Sequence, residues 1–169
     1  MIHSEHPFVP GEGERDPVRR FRGRHAAGVS IVTARLDSKP SGLTVSSLIV
    51  LEGDPALIAA VVGPLSDVWD AIAASERFVV HLCRAGHRGL SDVFASLRPT
   101  PGGAFSGLEW EESDWGPVLA AVPDRAYCRL VRTEELGYTG LVVGSVDHVE
   151  LADLEDPLIH FRGGYHRLD

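Results

Sequence analysis

Short apolar runs, each bounded by turn residues, constrain this chain more than any other feature. Val29-Ser30-Ile31-Val32-Thr33 alternates and is rich in β-branched residues, the pattern of a strand. A turn follows at Asp37-Ser38-Lys39-Pro40-Ser41-Gly42. A second run extends from Leu43 to Leu51, and a third from Ala56 to Val62 after the Gly53-Asp54-Pro55 break. Strands joined by connections this short pair antiparallel, because a parallel crossover needs a far longer link. Phe78-Val79-Val80-His81-Leu82-Cys83 is too apolar for an exposed edge, and Ala126 to Thr133, Leu141 to Leu151 and Leu158 to Phe161 read as three more strands. No helix between these last three is long enough to link parallel neighbours. About six strands with two or three helices outside predict an α+β protein built on a small closed barrel.

The helices are marked by their ends. Asp16 can cap a first helix, Pro17 suits its first position, and Gly28 can close it, with Val18, Phe21 and His25 on one face. Ser66-Asp67 opens a second, where Val68, Trp69, Ile72 and Ala73 follow helical spacing. A third, near residues 87–97, is predicted to bury Leu90, Val93, Phe94 and Leu97. Residues 1–15 lack periodicity and read as a mobile arm, leaving 16–169 as one domain. Residues 99–117 form a long loop carrying Phe105, Leu108, Trp110 and Trp115, which predicts packing over another part of the molecule.

Charge and motifs exclude several function classes. A formal charge of -8 argues against nucleic acid, and the arginines read as scattered surface charge. Cys83 and Cys128 lie in apolar runs, as buried free thiols do. The eight histidines are dispersed, so no metal site is expected. GxGxxG, the P-loop, HExxH and GxSxG are absent. No window has the roughly 20 apolar residues of a membrane helix, and Met1 to Pro7 carries no leader pattern, so the expected location is the cytoplasm.

Four stretches, in order, carry a resemblance. They are Phe21 through Gly28-Val29-Ser30-Ile31-Val32-Thr33; Gly42-Leu43-Thr44-Val45-Ser46-Ser47-Leu48 with Leu51-Glu52-Gly53-Asp54-Pro55-Ala56-Leu57; Ser66 and the helix leading to Ser75-Glu76-Arg77-Phe78-Val79-Val80; and Pro157-Leu158-Ile159-His160-Phe161-Arg162-Gly163-Gly164-Tyr165-His166. Together, over residues 17–168, they resemble the flavin reductase-like proteins of the FMN-binding split-barrel fold. The resemblance implies a homodimer of antiparallel six-stranded split barrels flanked by two or three helices. It implies hydride transfer from NADH or NADPH to FMN, with FAD possible, and a monooxygenase as the partner receiving reduced flavin. Two other readings stay open: a non-catalytic flavin-binding protein, and a flavoprotein whose tightly held flavin reduces another acceptor.

The resemblance carries roles to particular residues. Gly42, Leu43, Thr44, Ser46 and Ser47 would border the flavin ring, where small hydroxyls and backbone N–H groups stabilise the charge of the reduced ring. Val62, Gly63, Ser66, Asp67 and Val68 would lie toward the flavin phosphate, at a helix N-terminus suited to anions. Phe94 would sit near the cofactor. Gly163 and His166 would border the nicotinamide, with His166 as the catalytic candidate. The loop 99–117 is a candidate cover. The chain departs from the family's pattern where Asp67 and Val68 follow Ser66 in place of a basic residue and a hydroxyl, where Ala104 precedes Phe105 in place of a charge, and where Ser46 replaces a frequent asparagine. A carboxylate in that first helical turn disfavours a phosphate.

Overall fold

The computed structural model describes residues 16–168. The residues read as an N-terminal arm lie outside them. Twelve strands and three helices form one α+β unit: α1 (Pro17–Gly23), β1 (Ala27–Gly28), β2 (Ser30–Leu36), β3 (Lys39–Val45), β4 (Leu48–Leu51), β5 (Leu57–Val62), α2 (Asp67–Ser75), β6 (Arg77–Leu82), α3 (Arg88–Phe94), β7 (Trp110–Ser113), β8 (Gly116–Leu119), β9 (Arg125–Leu136), β10 (Thr139–Glu150), β11 (Ile159–Phe161) and β12 (Gly164–His166). Every strand ladder is antiparallel, as the short connections require.

The main sheet has seven strands rather than six, in the order β3-β2-β6-β9-β10-β5-β4. Its two edge strands, β3 and β4, are consecutive in the chain and joined only by Ser46-Ser47. A sheet whose opposite edges are two residues apart must curl back on itself. It stays open along that seam, where the sequence predicts one continuous strand from Leu43 to Leu51 in a closed barrel. The difference is one of direction: on either side of Ser46 the backbone pairs with a different neighbour, Val45 with Ser30 and Leu48 with Ala60.

The curled sheet encloses a core of Val32, Ala34, Val45, Ile58, Val62, Phe78, Val80 and Val142, closed by Val68, Ala71 and Ile72 of α2. Ser66 caps α2, its Oγ accepting from Trp69 N at 3.3 Å. β2 is buried on both faces, since Val29 and Ile31 turn toward a second core with Cys83, Phe94, Leu119, Val122 and Leu158. That second core absorbs the aromatic loop. Residues predicted to be unstructured pair as β7 and β8, and Phe105 stacks edge-on against Phe94 at 5.1 Å and Trp110 at 5.5 Å.

Three further boundaries differ. α1 stops at Gly23 rather than Gly28, and Ala27–Gly28 pair with β11 instead. It has no buried residue, and Phe21 is 77% exposed. α3 ends at Phe94, because Ser96 adopts a left-handed φ of 58°, which leaves Leu97 69% exposed rather than buried. The strand predicted at 158–161 is one arm of a hairpin, its return strand β12 reached through Arg162 and Gly163 at φ of 51° and 79°. Two successive left-handed residues make the hairpin turn whose twist matches the flanking strands, and glycine takes that conformation freely. Among the described residues no helix is long and apolar enough to cross a membrane.

Candidate functional site

The Ser46-Ser47 seam forms one wall of a cleft of about 1120 Å³. Its other walls are α1, the β11–β12 hairpin and the outer turn of α3. At the seam Thr44 is committed: its Oγ1 donates to the Ser91 carbonyl at 2.7 Å and ties β3 to α3. Ser46 and Ser47 are half-buried. No group among the described residues takes the hydroxyl or amide proton of either, although Ser47 O accepts from Val61 N at 2.9 Å. Half-buried donors without an internal partner stay free to meet water or a ligand in the cleft.

The hairpin supplies the facing surface. His160, Phe161, Gly163, Gly164 and Tyr165 line the cleft, with His160 and Tyr165 paired across the strands at a ring separation of 6.2 Å. Burial, then the nearby Arg22 and His166, lower the His160 pKa, which favours the neutral ring. Burial raises the Tyr165 pKa, so its phenol stays protonated. Six arginines, Arg19, Arg20, Arg22, Arg24, Arg88 and Arg162, also line the cleft, against one carboxylate, Asp92. In a chain of net charge -8 this is a local reversal of sign. The arginines read from sequence as scattered are gathered here by α1, α3 and the hairpin turn.

A profile of the flavin reductase like domain matches residues 22–169. The chain belongs to the flavin reductase like domain family. It is similar to an NADH-dependent FMN reductase, SmoA, of Agrobacterium fabrum, with 31% identity covering 97% of this chain and 92% of that one. It is 34% identical to the reductase component of 4-hydroxyphenylacetate 3-monooxygenase of Thermus thermophilus, over 91% of this chain and 97% of that protein. Among solved structures the flavin reductase PheA2 superposes with a TM-score of 0.81 at 26% identity, covering 92% of this chain and 99% of the other.

Of the residues to which the family resemblance assigns roles, the structure brings Thr44, Ser46, Ser47 and Gly163 together around the cleft. Others lie behind its wall. Phe94 is buried, and Gly42 is small because a Cβ there would come within 2.7 Å of the Phe94 ring. Leu43 packs on the barrel core, and Val62 and Val68 have their side chains inside it. Gly63, Ser66 and Asp67 do not line the cleft. The Ser66 hydroxyl donates to Gly63 O at 2.6 Å, and Asp67 is held by Lys39 Nζ at 3.0 Å. The His166 backbone is at the far end of the hairpin from its turn and outside the cleft lining, while its exposed ring reaches back, Nε2 3.2 Å from Phe161 O and the ring 5.9 Å from that of Phe161. No residue of the aromatic loop 99–117 reaches the cleft lining; the loop packs behind Phe94.

Sequence reasoning missed the α1 arginines and His160. The signal was present as Arg19-Arg20-Phe21-Arg22-Gly23-Arg24, four arginines in six residues of an acidic chain.

Proposed function

We propose that this chain is an NAD(P)H-dependent flavin reductase that passes hydride from a nicotinamide to FMN, with FAD as the other flavin it would accept. The unpartnered donors of Ser46 and Ser47, facing a cleft large enough for a ring system and its cosubstrate, carry this reading. The bound nicotinamide and flavin would supply hydride donor and acceptor, so no side chain need act as nucleophile or base. Ser46 and Ser47 would offer O–H and N–H protons to the edge of the ring that gains electron density. Thr44, its proton already given to Ser91 O, presents acceptor lone pairs, which suits a ring N–H. Gly163 and His166 would border the nicotinamide, and the neutral His160 and Tyr165 would shield that side from water.

The test is oxidation of NADH and NADPH by purified protein with and without added FMN. Flavin-dependent oxidation that falls sharply in the Ser46→Ala/Ser47→Ala double variant supports both reaction and site. No oxidation with either nucleotide sinks the enzyme reading. A monooxygenase would take the reduced flavin, as the naming of the Thermus thermophilus relative suggests.

The proposal includes a homodimer. Ladder register puts Ile49, Leu51, Leu57, Ala59, Val61 and Leu141 on the outer face of β4, β5 and β10. Ile49 is 60% and Leu51 46% exposed there. An apolar sheet face at a free edge is a surface that association covers. Ile49→Glu/Leu51→Glu should convert a dimer to a monomer in sedimentation analysis; an unchanged mass would rule this face out.

A further inference from the structure

Most arginines outside the cleft are paired with acids; among the described residues Arg77, bound to Asp114 O at 3.1 Å, and Arg167 are the exceptions. Arg35, Arg84, Arg98, Arg125, Arg129 and Arg132 each have an acidic partner, and none of them lines the cleft. None of the six that do line it has an acidic partner among the described residues. Asp92, the one carboxylate in the lining, is turned to Arg98 at 3.7 Å. Unpaired guanidinium groups gathered in a concave surface repel one another, and they attract an anion with a focused field.

The place expected to hold a phosphate is meanwhile ill suited to one. The first turn of α2 carries Asp67 and Asp70, and the Ser66 hydroxyl is used within its own turn. Asp67 is paired with Lys39 Nζ at 3.0 Å, and Asp70 remains as a carboxylate that opposes a bound phosphate at that end.

We propose that the arginine cleft is the anchor for the pyrophosphate of the nicotinamide dinucleotide, with Arg22 and Arg88 as its principal contacts. The proposal rests on the flavin reductase reading. Arg22 lies on α1 and Arg88 at the start of α3, and both line the cleft that the β11–β12 hairpin also lines. A ligand in the cleft therefore meets a guanidinium from each of these two helices. One phosphate group occupies one or two such forks, whereas guanidinium groups from α1, α3 and the hairpin turn together suit the two linked phosphates of a pyrophosphate. α1, with no buried residue, is held to the hairpin by Arg162 N donating to Gly23 O at 2.9 Å. Its role on this account is to carry charge to the rim.

The experiment measures KM for NADH at saturating FMN, and KM for FMN and for riboflavin at saturating NADH. The variants are Arg22→Gln, Arg88→Gln, their double, the corresponding Lys substitutions, and Arg132→Gln on β9 as a control outside the cleft. Wild-type oxidation of NADH or NADPH is established first, and its absence would be a failure of the reductase reading rather than of the anchor. Each Gln variant should raise the NADH KM about tenfold, the worth of a charge-assisted hydrogen bond. The kcat should change far less, Lys should recover most of the loss, and added salt should weaken NADH binding more in wild type than in the double variant. Circular dichroism of each variant checks that it is folded. An unchanged NADH KM in the folded double variant overturns the proposal. A rise in the FMN KM alone, with the riboflavin KM unmoved, also overturns it, because the arginines would then hold the flavin phosphate.

Discussion

In the wall shared by the curled sheet and its second core, Thr33 gives its hydroxyl proton to Pro117 O at 2.6 Å, and His81 uses both ring nitrogens, Nδ1 at 3.2 Å from Ile31 O and Nε2 accepting from Leu119 N at 3.1 Å. Along the cleft, Ser46 and Ser47 keep unpartnered donors, and six arginines lack acidic partners among the described residues. Thr33 and His81 lie on β2 and β6, whereas Ser46 and Ser47 lie at the seam between β3 and β4 and the arginines come from α1, α3 and the hairpin turn. Where polar groups are satisfied from within they hold the fold, and losing one exposes an unmet need in a dry interior. Where they are left open they face solvent, and water satisfies them until a ligand takes its place.

Substitutions on the two sides should separate stability from binding. Phe78→Ala empties the centre of the barrel core and should lower unfolding free energy by about 4 kcal/mol in denaturant melts, with the folded fraction still binding flavin. His81→Leu leaves Leu119 N without its acceptor and removes the ring's contact with Ile31 O, and should cost about 3 kcal/mol. It should also remove a pH dependence. Burial, aided by Arg125 and opposed by the Ile31 contact, lowers the His81 pKa from 6.5 to about 3. Below pH 6.5 the unfolded chain takes a proton that the folded chain refuses, so wild-type stability should fall as pH drops toward 3. In His81→Leu that part of the slope disappears, and a slope unchanged across the range would remove His81 as its source.

Gly42→Ala tests the boundary between the two regions. Its new Cβ would press on Phe94, and the strain should cost about 2 kcal/mol while displacing Thr44 and raising the flavin KM. Thr44→Val breaks the tie to Ser91 and should cost about 1 kcal/mol. Ser46→Ala and Ser47→Ala sit at the other extreme, with melting changes of under about 0.5 kcal/mol and a several-fold loss in flavin binding by fluorescence titration. Should either serine variant destabilise as much as His81→Leu, the contrast between satisfied and open groups would fail.

The amino-acid order by itself determined the antiparallel pairing, the N-caps of α1 and α2 and the buried free cysteines, because turn residues, short connections and apolar alternation act over a few residues; Thr44, Ser46 and Ser47 stood out only through the family resemblance. Those signals are local, and so is the chemistry they report. Only the tertiary structure decided that Leu43 to Leu51 is two strands at opposite edges of one sheet, that residues 99–117 pack behind Phe94, and that Ser66 stands apart from the cleft. It also gathered Arg22, Arg88 and Arg162, from three separate elements, around one concave surface. Charge acts through space rather than along the chain, so a run of arginines makes a shared field only when folding sets it beside other cations.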